Sequence, residues 1–240
     1  MRAHGVLAVV VALAGAVACA DAPAADAGGT DGASRELLAA ANTVAAEPEP
    51  QTLDIADLGM VWGADNAPVR VVEFSDYGCG YCRKFHQETW PVLLRDFVDA
   101  GKVEWKFLPY VSGMFGNSTA ATTAADCVLE QGDSLFHAMN SLIWNQQSEW
   151  KRAGDPAVIL RGLAHESGVD LMRYDSCLSQ GRRTQRVTGA NAIALQIGVR
   201  ATPTFFVVGY PPIQGALPTE VFVQVLTMVY EEAIKAGGTP

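Results

Sequence analysis

The stretch Val69-Arg70-Val71-Val72-Glu73-Phe74-Ser75-Asp76-Tyr77-Gly78-Cys79-Gly80-Tyr81-Cys82 passes from an apolar, strand-like run directly into a helical pattern. Two cysteines at i and i+3 on the first turn of a helix can close a small disulfide ring. The first sulfur then lies against the helix N-terminus, where free N–H groups and the macrodipole favour negative charge. That setting lowers the thiol pKa and makes a thiolate available at neutral pH. A thiolate able to exchange with another disulfide is a redox catalyst, with Cys79 as nucleophile and Cys82 as resolving thiol. Other uses of a CxxC fit less well. Haem attachment needs His directly after the second cysteine, and Arg83 stands there. Structural zinc needs two more ligands at matching spacing; His86 is near, but Cys127 and Cys177 form no second CxxC. A structural bridge closing so short a loop adds little stability.

Working outward, the strand at 69–74 leads into a helix from about 80 to 100, broken or kinked at Trp90-Pro91. Gly101 ends it, and Val103 to Leu108 reads as the next strand. This βαβ unit predicts parallel strands and an α/β fold. From about 117 to 197 the pattern is helical. Leu135, Phe136, Met139, Leu142 and Ile143 share one helix face, and Asp155-Pro156 and Asp170 look like helix starts. Gly132, Gly154, Gly168 and Gly181 separate short helices. Thr204 to Val208 is a strand, Ile213 to Ala216 pairs back on it, and Pro218 to Ala236 is a final helix. The order is β-α-β, a helical block, then β-β-α.

The 240 residues carry a net charge of −9, which argues against nucleic-acid binding. Residues 1–20 read as an export signal, with Arg2 ahead of an uncharged run from Gly5 to Ala18 that is short for a bilayer. Two cleavage sites compete. Ala18-Cys19-Ala20 suits a cut after Ala20, whereas Ala16-Val17-Ala18-Cys19 is similar to a bacterial lipobox that would lipidate Cys19. Residues 21–57 read as a disordered linker segment, low in complexity over 21–33, with a short helix from Ser34 to Ala46. Of five cysteines, four fall beyond this boundary and can form two pairs, leaving Cys19 as the odd one.

A second signal lies at Thr202-Pro203-Thr204-Phe205-Phe206-Val207-Val208. The proline either marks a strand boundary or is cis, holding the backbone of Thr202 exposed beside the CxxC. With both signals in hand the chain resembles the DsbA-like thiol:disulfide oxidoreductases of the thioredoxin-fold superfamily. The resemblance rests on Ala67-Pro68-Val69, on Val72 through Cys82, and on Thr202 through Val207, and covers roughly residues 58–236. It implies a thioredoxin fold over 58–115 and 199–238 with an inserted helical domain over 116–198. It implies that Thr202 and Pro203 shape the substrate groove. It also implies that Glu73 is a buried acid beneath the active site, accepting the Cys82 proton. Cys127 and Cys177 would form a structural disulfide in the helical domain.

The expected activity is disulfide exchange with cysteine-containing substrate proteins, as an exported oxidase of the periplasm or cell envelope. No metal or organic cofactor is expected. The partners are those substrates and a membrane redox protein, with a lipid anchor through Cys19 and a monomeric state. The pair Gly80-Tyr81 and Thr202 resemble those of DsbC-like isomerases, so an isomerase or reductase is the alternative. A non-enzymatic binding or metal-delivery module using Cys79, Cys82 and His86 is the alternative of another class.

Overall fold

The computed structural model describes residues 55–237. The expected export signal, Cys19 and most of the expected linker over 21–57 lie outside them. Ile55–Asp57, expected within that linker, instead form a 3-10 turn, and Ile55 packs on the core.

Five strands make one sheet: β1 (Met60–Trp62), β2 (Val69–Ser75), β3 (Val103–Pro109), β4 (Thr204–Val207) and β5 (Ile213–Gln214), in the order β1-β3-β2-β4-β5. β2 and β3 are parallel, with Val71 beside Trp105 and Glu73 beside Phe107. The other three pairs are antiparallel. β1 is absent from the sequence reading because three residues on an edge are too few for alternation to register.

Period-two alternation sorts the strand residues onto two faces. Val69, Val71, Trp105, Phe107 and Phe205 enter the larger core, and Phe74 and Leu108 enter a second one. The larger core is covered by a helical run over 80–98 (α1) and by α8 (Thr219–Lys235). Phe85 of α1 seats against Phe205 and Phe222, with ring centroids 4.6 and 5.6 Å away. Burying such a side chain contributes about 1.5–3 kcal/mol.

Of the break or kink expected at Trp90-Pro91, the break does not occur. The run continues through Pro91, flanked by π-helical turns at Phe85–Thr89 and Leu94–Val98. Pro91 lacks an N–H, and the π-helical turns absorb the local shift in hydrogen-bond register.

Between β3 and β4 lie α2 (Ser118–Leu129), α3 (Asp133–Asn145), α4 (Gln147–Arg152), α5 (Ala157–Glu166), α6 (Leu171–Gln180) and α7 (Thr184–Gln196). The Asp170 carboxylate caps α6 by accepting from the N–H groups of Met172 and Arg173. Phe136, Met139 and Ile143 bury one face of α3. Cys127 on α2 and Cys177 on α6 are joined by a disulfide, S–S 1.95 Å. Within the 116–198 segment, α7 lays Ala190 and Ala194 against the second core of the sheet.

Candidate active site

Cys79 is the residue before α1, in extended conformation (φ −77°, ψ 126°), and its carbonyl accepts from Arg83 N–H at 3.1 Å. The loop that delivers it is tied from several directions. Buried Asp76 accepts from Gly78 N–H (2.8 Å), Ser112 N–H (2.9 Å), Ser112 Oγ (2.8 Å) and Ser118 Oγ (2.5 Å). Gly78 sits so close to α2 that a Cβ there would lie 2.3 Å from Ser118 Oγ. From α4, Gln147 Nε2 donates to the carbonyls of Tyr77 (2.6 Å) and Cys79 (2.8 Å). Lys151 Nζ donates to Gly78 O at 2.5 Å. The helical insertion therefore grips the backbone that carries the nucleophile. The sequence carries no local mark of Gln147 or Lys151 in this role, because about 70 residues separate them from the loop.

Antiparallel pairing of β4 with β2, with Phe74 beside Thr204, brings the Thr202–Pro203 loop to the same end of the sheet. The Thr202–Pro203 peptide bond is cis. The Cys79 thiol reaches Thr202 O at 3.4 Å.

Cys79 and Cys82 are unbridged and buried, Cys79 at 3% exposure and Cys82 at none. A hydrogen bond from the Cys82 thiol holds the Cys79 pKa down to about 5, against the opposing effect of burial. The Thr202 hydroxyl and the N–H groups of Cys82 and Tyr81 add to the lowering. Cys82 moves the other way: burial, then its hydrogen bond to Cys79 and the neighbouring charge, push its thiol well above the ordinary range. Alkylation of the reduced protein with iodoacetamide is accordingly expected to titrate at Cys79 with a midpoint near pH 5. Cys82 should stay unlabelled through neutral pH. A Cys79 midpoint of about 8.5, the value of a free thiol, or preferential labelling of Cys82, would overturn this assignment.

Glu73 lies on β2 at 0% exposure, facing the larger core and not water. Its Oε1 accepts from Ser75 Oγ at 2.5 Å and pairs with His86 Nε2 at 2.7 Å; its Oε2 accepts from Trp105 Nε1 at 2.9 Å. A buried carboxyl so supplied is compatible with the interior because each partner offsets part of its desolvation. His86 is buried at 8% exposure and stacks on Trp144, ring centroids 4.4 Å apart. From sequence it reads as a surface or partly buried helix residue, because its partner lies 13 positions away on another element. Cys127 and Cys177 belong to the helical segment and take no part in this cluster.

Residues 56–223 match the family model described as Thioredoxin. Over 162 residues the chain is 28% identical to disulfide bond formation protein D of Bacillus subtilis (strain 168), covering 61% of this chain and 66% of that protein. It is 33% identical over 153 residues to the Na(+)/H(+) antiporter NhaA 3 of Salinispora tropica, covering 64% of this chain and 22% of that protein. The chain thus spans less than two thirds of the length of either relative. Among solved structures, oxidised BdbD from Bacillus subtilis superposes with a TM-score of 0.65 at 23% identity, covering 72% of this chain and 93% of that one. That likeness shows a shared fold.

Proposed function

The chain belongs to the thioredoxin family, and from that premise we propose that it is an exported thiol:disulfide oxidoreductase that oxidises the dithiols of substrate proteins. In the oxidised enzyme, a substrate thiolate attacks Cys79 Sγ. The Cys79–Cys82 bond breaks and Cys82 leaves, taking up a proton. A second substrate thiolate then attacks the substrate sulfur of the mixed disulfide, and Cys79 leaves as a thiolate. Thr202 and Pro203 line the approach to Cys79, and Glu73 handles the Cys82 proton. A membrane redox protein then reoxidises the pair.

The observation that carries this reading is the Cys79 thiol held at about 5 beside a Cys82 thiol pushed upward. A low-pKa thiol is a good leaving group, and its thiolate stabilises the dithiol over the disulfide, which makes the disulfide oxidising. The sign follows from linkage. The folded pKa lies below that of the unfolded thiol, so this stabilisation is full above the unfolded value near 9 and is lost as pH falls through about 5.

The test is a redox titration against glutathione buffers across pH. Above pH 5, reduction takes up one proton, at Cys82, and the potential should fall by about 30 mV per pH unit; below pH 5 it takes up two and falls by about 59 mV. The value at pH 7 should lie at roughly −120 to −180 mV; one near about −270 mV would make the protein a reductant and end the oxidase reading. Gly80-Tyr81 and Thr202 favour an isomerase as second reading, and scrambled-disulfide refolding assays separate the two. Export and a lipid anchor at Cys19 complete the proposal. Intact-mass analysis of the envelope form distinguishes an acylated Cys19 from a chain beginning at Asp21.

A further inference from the structure

Cys79 stands between two glycines, Gly78 and Gly80, where a chain has most backbone freedom. Yet the backbone that leads to it is held group by group. The N–H groups of Gly78 and Cys79 turn back onto Asp76, to its Oδ1 at 2.8 Å and its carbonyl at 2.9 Å. The three successive carbonyls of Tyr77, Gly78 and Cys79 all accept from one face of α4, where Gln147 and Lys151 stand one turn apart. Gln147 is 4% exposed, and its amide spends both hydrogens on Tyr77 O and Cys79 O. Lys151 Nζ, 4.8 Å from the Phe115 ring centroid, completes the set at Gly78 O. The far end of α4 is fixed in turn. Asn117, the residue before α2, donates through Nδ2 to the carbonyls of Trp150 (2.9 Å), Lys151 (3.3 Å) and Ala153 (2.9 Å). Its neighbour Ser118 donates to Asp76 Oδ1. The contacts close a ring from Asp76 through Cys79, α4 and Asn117 back to Asp76.

We propose that Gln147 and Lys151 are positioning residues for the nucleophile: the helical insertion sets the reactivity of Cys79 by fixing the three carbonyls through which its backbone is aimed, and Asn117 acts on Cys79 through α4. The restraint has to come from outside the loop, because the glycines beside Cys79 bring no side chain that could pack. At Gly78 there is no room for one: a Cβ would lie 2.4 Å from Phe115 Cβ. One conformation of Cys79 serves the chemistry. At φ −77° and ψ 126° it precedes α1, its carbonyl accepts from Arg83 N–H at 3.1 Å, and its thiol lies 3.4 Å from Thr202 O. Rotation about ψ turns the Cys79 carbonyl away from Gln147 and Arg83 and moves the sulfur off the first turn of α1. The N–H groups of Tyr81 and Cys82 help to lower the thiol only while the sulfur stays there. Gln147 and Lys151 meet the loop at its carbonyls and touch no reacting atom. The proposal rests on the disulfide-exchange reading.

The test uses the full chain in three variants. Gln147→Met keeps the side-chain length and removes both donors. Lys151→Met keeps the stem on Phe115 and removes the ammonium. Asn117→Gly accepts the left-handed backbone of this position (φ 63°) and removes only the amide. Circular dichroism and melting curves first establish that each variant is folded at the assay temperature. The readouts are the pH midpoint of iodoacetamide labelling at Cys79 and the turnover of a dithiol peptide at pH 7. In Gln147→Met the midpoint should rise by at least about one pH unit, and turnover should fall by roughly 10–10²-fold, the cost of misplacing a reacting atom by about 1 Å. Lys151→Met and Asn117→Gly should move both readouts the same way by smaller steps. Arg152→Ala, which removes an exposed cation from the same helix, should move neither. Lowered melting temperatures with midpoint and turnover unchanged would make the contacts merely structural and overturn the proposal. A shift in Arg152→Ala equal to that in Lys151→Met would overturn it too, because charge and not position would then act. Should Gln147→Met fail to fold, the other two variants decide by the same criteria. If the unsubstituted protein turns over no dithiol peptide, the disulfide-exchange reading itself fails.

Discussion

Replacing Cys79 by serine abolishes disulfide exchange, with an expected loss of at least roughly 10³-fold in turnover of a dithiol peptide. The size follows from where the chemistry is concentrated. Cys79 alone combines the position at the start of α1, the thiol lowered to about 5 and the Thr202 loop at 3.4 Å. A serine hydroxyl at the same place neither ionises at neutral pH nor forms an exchangeable bond to sulfur. Cys82→Ser is expected to behave differently. Attack at Cys79 continues, but the mixed disulfide has no internal thiol to resolve it, so it accumulates. Mass spectrometry of the quenched reaction reads this directly as an adduct on Cys79. Equal turnover in Cys79→Ser, or an adduct on Cys82 in that variant, would show that the roles are reversed.

The second large effect is on stability. The Cys127–Cys177 bridge closes a loop of 50 residues between α2 and α6. In the chain-entropy description such a loop contributes about 4 kcal/mol by restricting the unfolded chain. Both cysteines are buried among the core side chains, at 1% exposure. The double variant Cys127→Ala/Cys177→Ala should therefore melt roughly 8–16 °C lower, at about 2–4 °C per kcal/mol for a chain of this size. Its exchange rate should stay close to that of the unsubstituted protein, because neither sulfur touches the cluster around Cys79. Calorimetry with a peptide-oxidation assay checks both halves. An unchanged melting temperature with lost turnover would make the pair a redox relay.

These two expectations differ in how they could be reached. The place of Cys79 at a helix start was legible in the chain, because a strand, a three-residue break and a CxxC are local patterns in consecutive residues. The alternation in Val69–Ser75 likewise tells which residues share a face, and Glu73 falls with Val71 on the face of the larger core. The helix signals around Asp170 and Phe136 are local too, and the elements stand where those residues put them. The edge strand Met60–Trp62 escaped for want of length, and the continuation of α1 through Pro91 because the π-helical turns beside it depend on what packs there.

By itself, then, the sequence determined that two thiols would sit at a helix N-terminus beside a strand carrying an acid, with a Thr-Pro loop far along the chain. Only the tertiary structure decided what meets them. His86 and Trp105 reach Glu73 from 13 and 32 positions away, Thr202 reaches Cys79 from 123, and Gln147 reaches it from 68. Those meetings are set by the parallel register of β2 with β3, by the antiparallel register of β4, and by the seating of α4 on the loop. The physical reason is range. Side-chain periodicity is dictated by the geometry of neighbouring residues, whereas a register or a helix docking is chosen by the packing of the whole core.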